Sequence, residues 1–138
     1  MGRGIAKQAA DRYCGLQRAY QDALRVWPEA KRSEPAALAR FPQVLLFPVK
    51  YDWRDKADLA LIERNLGLLH EYGKRFAIPE LGCGYGECTW AEVKPLVWAA
   101  DSDTLDLLVV HPDVAALRAE ARYAASFRAG ARSDRRFS

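Results

Sequence analysis

Three glycines fall within five residues in the run Leu81-Gly82-Cys83-Gly84-Tyr85-Gly86-Glu87. Spacing of this kind lets successive backbone N–H groups turn toward one spot, the construction of an anion or phosphate cradle. A second run, Pro48-Val49-Lys50-Tyr51-Asp52-Trp53-Arg54-Asp55, sets an ammonium group among aromatic and charged neighbours. A third, Gly2-Arg3-Gly4, precedes a helical pattern and is a cradle candidate of the same type. Plainer readings stand beside these. A glycine-rich turn also serves as a tight connection, and a lysine at a strand end is usually solvated. Trp53 and Trp90 read first as packing residues. Cys83 reads as a small buried residue rather than a nucleophile, because no basic partner adjoins it. His70 and His111 have no partners at metal-ligand spacing, so no metal site is expected. No Ser-His-Asp or paired-carboxylate set can be placed.

The elements that position these residues follow from apolar period and punctuation. Ile5, Ala9, Tyr13, Leu16, Tyr20 and Leu24 predict a helix over 5–26, weakened at Gly15 and stopped before Pro28. Residues 28–40 are a solvated connection with room for a short irregular strand. Val44 to Val49 is a continuous apolar run between prolines and predicts a strand buried on both faces. A helix follows, capped at Asp55, with Leu59, Ile62, Leu66 and Leu69 as its stripe and Gly73 as its stop. Phe76 to Pro79 predicts a second strand, closed by the glycine-rich turn. Thr89 and Glu92 form a T-x-x-E capping box for a helix from Trp90, in which Pro95 predicts a loose second turn. Asp106 to Val110 predicts a third strand, and Pro112 opens a last helix at about 113–127. The tail 128–138 carries four arginines and is expected to be frayed. Strands separated by helices imply parallel βαβ units in an α/β sandwich. The three strands are expected side by side with their carboxyl ends on one rim, where ligands bind in open α/β sheets.

The 138 residues make one domain, and half of them are apolar, enough for a packed core. A net charge of +3 does not by itself indicate a nucleic-acid binder. No apolar run approaches the ~20 residues of a membrane span, and Met1-Gly2-Arg3-Gly4 opens no secretory signal. Cys14, Cys83 and Cys88 read as reduced thiols of a cytoplasmic protein, with no membrane partner.

Three segments together resemble a macro domain, the ADP-ribose-binding α/β/α fold. Met1-Gly2-Arg3-Gly4-Ile5-Ala6 resembles its G-x-G-x-A turn and first ligand-side helix. Ile78-Pro79-Glu80-Leu81-Gly82-Cys83-Gly84-Tyr85-Gly86 resembles the diphosphate loop, P-x-L-G-C-G-x-G. Phe47-Pro48-Val49-Lys50-Tyr51-Asp52-Trp53-Arg54 resembles the F-P-T-K-x-x-W-R stretch of the branch containing the DarG antitoxin, which removes ADP-ribose from DNA bases. The resemblance covers residues 1 to about 100.

It implies an ADP-ribosyl hydrolase acting on modified nucleic acid or protein, with a cognate ADP-ribosyltransferase toxin as a partner and no cofactor. A non-catalytic ADP-ribose-binding module and an inactive remnant are the alternatives. Gly2 and Gly4 would line the proximal ribose and diphosphate. Gly82, Cys83, Gly84, Tyr85 and Gly86 would wrap the diphosphate and distal ribose, with Gly84 at a positive φ. Lys50 matches the lysine at the distal ribose, either as a nucleophile or as a fixed charge on the departing group. Some relatives carry an acidic residue where Gly86 stands, a role that is vacant here unless neighbouring Glu87 supplies it. The family has strands and a helix ahead of the G-x-G turn, so residues 1–127 are expected to be an N-terminally incomplete domain with an open sheet edge or face.

Overall fold

A computed structural model describes residues 4–112. The last helix expected at 113–127, the tail 128–138 and Gly2 of the opening turn lie outside the described residues.

The first helical pattern folds as two helices, α1 (Gly4–Arg12) and α2 (Leu16–Val26), rather than one. Gly15 is the reason. It adopts φ +84°, a left-handed conformation that interrupts a right-handed helix. After a 3-10 turn at Glu29–Ser33 come β1 (Ala36–Ala37) and β2 (Leu45–Leu46), paired antiparallel as Ala36 with Leu46 and Ala37 with Leu45. Leu16, Leu38 and Phe41 form the buried heart of this half, with Tyr13, Tyr20 and Trp27 packed around them.

α3 (Leu59–Leu68) starts four residues after its first acidic cap candidate, Asp55. Asp58, not Asp55, is the N-cap, its Oδ1 accepting the Leu61 N–H at 3.0 Å. Asp55 is spent on a turn, donating its N–H to the Asp52 carbonyl at 3.0 Å. The helix tightens into a 3-10 turn at Leu69–Glu71 before β3 (Arg75–Ile78). α4 (Trp90–Ala100) opens on the complete capping box. Glu92 N–H donates to Thr89 Oγ1 at 3.3 Å, and Thr89 N–H to the Glu92 carboxylate at 2.8 Å. Pro95 lies within α4, where the Ala91 carbonyl loses its helical donor and the ring is exposed to water.

β4 (Asp106–Val109) runs parallel to β3, with Arg75 opposite Asp106 through Ile78 opposite Val109. Together β3, α4 and β4 form one βαβ unit. Phe76, Ile78, Leu107 and Val109 face the larger core, which is built on Ile62, Leu66, Leu69, Val93 and Val97. The opposite face is open among the described residues, with Leu108 66% exposed. Ile5 is likewise 61% exposed, while Tyr13 packs into the smaller cluster.

The expected trio of adjacent parallel strands is therefore a pair. β2 bonds to β1 and is not hydrogen-bonded to β3. It is two residues long and half-buried rather than buried, because Leu45 packs against the larger core and Leu46 against the smaller one. Its apolar run joins two cores instead of crossing one sheet.

Asn65, fully buried on α3, fastens the two halves. Its Nδ2 donates to the Ser33 carbonyl at 3.0 Å and to the Pro48 carbonyl at 2.9 Å. Asn65→Leu keeps the volume but leaves both carbonyls without that donor. The expected cost is about 2 kcal/mol, read as a lower urea midpoint at unchanged slope. An unchanged midpoint would show that the amide is not a fastening.

Candidate functional site

Lys50 follows β2 on a loop whose base is pinned. Asp58 N–H donates to the Val49 carbonyl at 2.8 Å, closing the chain from 50 to 57 on itself. The glycine run closes in the same way after β3. Cys83 N–H donates to the Glu80 carbonyl at 3.1 Å, Glu87 N–H to Gly84 at 3.1 Å and Cys88 N–H to Gly82 at 2.9 Å.

These two loops touch. Lys50 Nζ donates to the Tyr85 carbonyl at 3.3 Å, and Ala57 N–H donates to the Gly86 carbonyl at 2.8 Å. Cys88 Sγ lies 3.6 Å from the Ala57 carbonyl. Residues 35 apart in sequence thus bring one ammonium group onto the rim of the glycine turn. Lys50 is half-buried, and among the described residues no carboxylate lies within ion-pair distance of it.

The three glycines differ in what surrounds them. Gly82 has φ +71°, and a Cβ there would lie 2.9 Å from Ala57 Cβ. Gly86 is buried, and a Cβ there would lie 2.5 Å from the Gly82 carbonyl oxygen. Both are glycine because the loop packs on itself. Gly84 is exposed, a Cβ would meet nothing within 4 Å, and its φ is not positive. The expected left-handed residue is Gly82 instead, since the chain reverses where it leaves Leu81, not at the tip. Among the described residues the Gly84 and Gly86 N–H groups donate to no protein acceptor. Of the two, Gly84 is the one at an exposed position, with open space beside it.

Cys83 is half-buried, with its Sγ 3.5 Å from the Leu81 carbonyl. Burial, reinforced by Glu80, pushes its thiol up, which suits a packed thiol and not a nucleophile. Tyr85 is 63% exposed at the tip. Glu87 is exposed at φ +64°, a left-handed conformation uncommon for a side-chain-bearing residue. Gly4, the described part of the opening turn, begins α1.

Two features had no signal in spacing. His111 Nδ1 lies 2.7 Å from Glu80 Oε1, and the Trp90 ring meets the imidazole edge-on at 5.5 Å. Both residues lie two positions beyond the paired Ile78 and Val109, so only the strand register reveals them as neighbours. Trp90 packs against the larger core as expected, but Trp53 is 83% exposed and packs into neither. Two surface depressions among the described residues lie away from these loops, one between Lys74, Arg75 and the turn 101–106 and another along the open sheet face at Ala77 and Leu108.

On the Lys50 loop, Asp52 binds Arg54 three ways. Oδ1 accepts from the Arg54 backbone N–H at 2.9 Å and from Nε at 3.0 Å, and Oδ2 accepts from Nη2 at 2.9 Å. These bonds lower the Asp52 carboxyl from 3.8 to about 2. A depressed carboxylate holds its turn fully above its ordinary value and releases it as pH falls through the lowered one. The Asp52 side-chain resonance is therefore expected to titrate near 2 in an NMR series, and a midpoint near 3.8 would show the clamp to be open in solution.

No family model matches the chain. A fusion protein from Thermosipho africanus, described as a DNA ADP-ribosyl transferase and DNA ADP-ribosyl glycohydrolase, is 38% identical over 58 residues. That stretch is 38% of this chain and 15% of the relative's length. The solved macrodomain of Mycobacterium tuberculosis DarG matches with a TM-score of 0.63 and 26% identity, over 82% of this chain and 81% of that one. Among the described residues no helix is long and apolar enough to cross a membrane.

Proposed function

The chain is a DarG-type macro domain, and from that premise we propose that it binds ADP-ribose and hydrolytically removes it from a modified nucleic acid or protein. The contact between Lys50 Nζ and the Tyr85 carbonyl carries the reading, because it sets a cation beside the donor-rich tip of the glycine turn. In this reading the Gly84 and Gly86 N–H groups take the diphosphate, with Gly82, Cys83 and Tyr85 shaping the wall. The macro-domain resemblance assigns Gly2 and Gly4 to the proximal ribose.

Lys50 acts at the distal ribose, where the bond from the anomeric carbon to the acceptor breaks. As a nucleophile it would form a covalent bond to that carbon, which water then hydrolyses. As a fixed charge it would stabilise the departing group while water attacks directly. In both routes water ends on the ribose and the acceptor leaves with its electron pair, gaining a proton. Trapping with borohydride separates them, since only the Lys50 glycosylamine, once its ribose ring opens at the bond from the anomeric carbon to the ring oxygen, gives an imine that is reduced to a stable adduct. Glu87 supplies the acidic side chain near the loop that Gly86 lacks.

The name of the Thermosipho relative puts transferase and glycohydrolase in one fusion protein. That pairing supports a cognate ADP-ribosyltransferase as a partner here and ADP-ribosylated DNA as the first acceptor to test. The test is release of ADP-ribose from ADP-ribosylated DNA and from an ADP-ribosylated protein, alongside calorimetric titration with ADP-ribose. Binding without turnover on either substrate leaves a binding module, and absence of binding leaves an inactive remnant.

A further inference from the structure

We propose that His111 is a positioning residue for the glycine turn: its imidazole ties the two ends of that turn together, and its protonation tightens the turn's hold on a diphosphate. The ligand in this proposal rests on the ADP-ribose reading above, whereas the tie itself does not.

The chain of the glycine turn leaves β3 after Ile78 and enters α4 at Trp90. One side chain from a third element touches both of its ends. His111 Nδ1 lies 2.7 Å from Glu80 Oε1, and the imidazole meets the Trp90 ring edge-on at 5.5 Å. The footing of this bridge is fixed, because Val110 N–H donates to the Ile78 carbonyl at 2.7 Å immediately before His111. Glu80 passes its own position on to the cradle, since its carbonyl accepts the Cys83 N–H at 3.1 Å. A change in the bond between imidazole and carboxylate therefore reaches the backbone donors of Gly84 and Gly86.

That bond depends on charge. A charge-assisted hydrogen bond is roughly twice as strong as a neutral one, and a neutral ring donates from Nδ1 in only one of its two tautomers. Imidazole is the side chain that changes charge between pH 5 and 8. The tie is therefore strongest at the acid end of this window and loosens as pH rises through it. Among the described residues Glu80 is the one acid within ion-pair distance of His111. The Cys83 thiol, which also faces Glu80, is pushed up, away from this window. On α4 the Glu92 carboxylate turns back onto Thr89, and Lys94 lies over Trp98. On β4, Asp106 faces Arg75 at the far end of the strand. The chain's other histidine, His70, bonds the Gly67 carbonyl of α3 at 2.7 Å. ADP-ribose itself keeps a constant charge here, since each of its phosphates has a single, strongly acidic hydroxyl.

The test is an NMR series between about pH 5.5 and 8 on isotope-labelled protein, with calorimetric titration of ADP-ribose at both ends. In wild type the Gly84 and Gly86 amide resonances are expected to follow the His111 ring through its transition, and in Glu80→Gln to stop following it. ADP-ribose affinity is expected to be about 2- to 5-fold higher at the acid end, the worth of one part-exposed ion pair. His111→Gln and Glu80→Gln should each flatten that dependence, and His70→Gln should leave it intact. The His111 side chain is 55% exposed, so its replacement should fold. Three results would overturn the tie: amides indifferent to the ring, a pH dependence that survives both substitutions, or an equal loss of affinity by His111→Gln at every pH, which is packing alone. Absence of ADP-ribose binding at either pH, with the amides still following the ring, would instead count against the function proposed above and leave the tie standing.

Discussion

Lys50→Ala is expected to reduce release of ADP-ribose from a modified substrate by about 10²- to 10³-fold, the usual consequence of deleting one group that stabilises charge only in the transition state. Its affinity for free ADP-ribose should stay within a few-fold of wild type. The separation follows from where the two contributions reside. In the proposed function affinity rests on backbone donors at the tip of the glycine turn, which a truncation at position 50 leaves in place, and turnover rests on the Lys50 side chain at the ribose. The truncation also deletes the 3.3 Å contact to the Tyr85 carbonyl, but Ala57 N–H on Gly86 and Cys88 N–H on Gly82 still hold the turn. A release assay on ADP-ribosylated DNA and a calorimetric titration measure the two quantities separately. Full turnover by Lys50→Ala would show the proposed mechanism to be wrong.

What the sequence made legible was local chemistry. The Thr89–Glu92 capping box, the β3 and β4 segments and the glycine turn between β3 and α4 all depend on residues within a few positions of one another. Contests between neighbouring signals were harder. Asp55 and Asp58 are both sound caps, and only the bond from Asp58 N–H to Val49 shows why the helix waits for the second. Gly15 weakens a helical pattern on paper, and its left-handed backbone in the fold is what turns that weakness into a break, at a corner that Phe41 approaches from the following segment. Partnerships between distant segments left no trace in spacing. The apolar run at 44–49 suits a buried strand, but its pairing with Ala36–Ala37 reflects two cores competing for alternate side chains. Trp53 has the type of a packing residue, yet it is 83% exposed between the clamped Asp52 and Arg54.

Gly84→Val and Gly86→Ala are expected to fail in different ways. At Gly84 a Cβ meets no protein atom within 4 Å and the backbone is not left-handed, so valine should fold normally. Its branched side chain would instead fill the open space beside Gly84, where the proposed function seats the diphosphate. Calorimetric titration with ADP-ribose should then show affinity falling by about 10²-fold or more, as expected when a steric block removes several charge-assisted hydrogen bonds at once. At Gly86 a Cβ would stand 2.5 Å from the Gly82 carbonyl oxygen and 2.8 Å from Ala57 Cβ. Neither neighbour can yield easily. Gly82 O already accepts the Cys88 N–H, and Ala57 is tied to Gly86 through its own N–H. The loop would have to open, at a cost of about 2–3 kcal/mol of stability for a close-packed site, read as a lower urea midpoint. Unchanged ADP-ribose affinity in Gly84→Val would remove the cradle from the turn. Equal destabilisation by both substitutions would show all three glycines to be there for packing, and the open space at Gly84 to be ordinary surface.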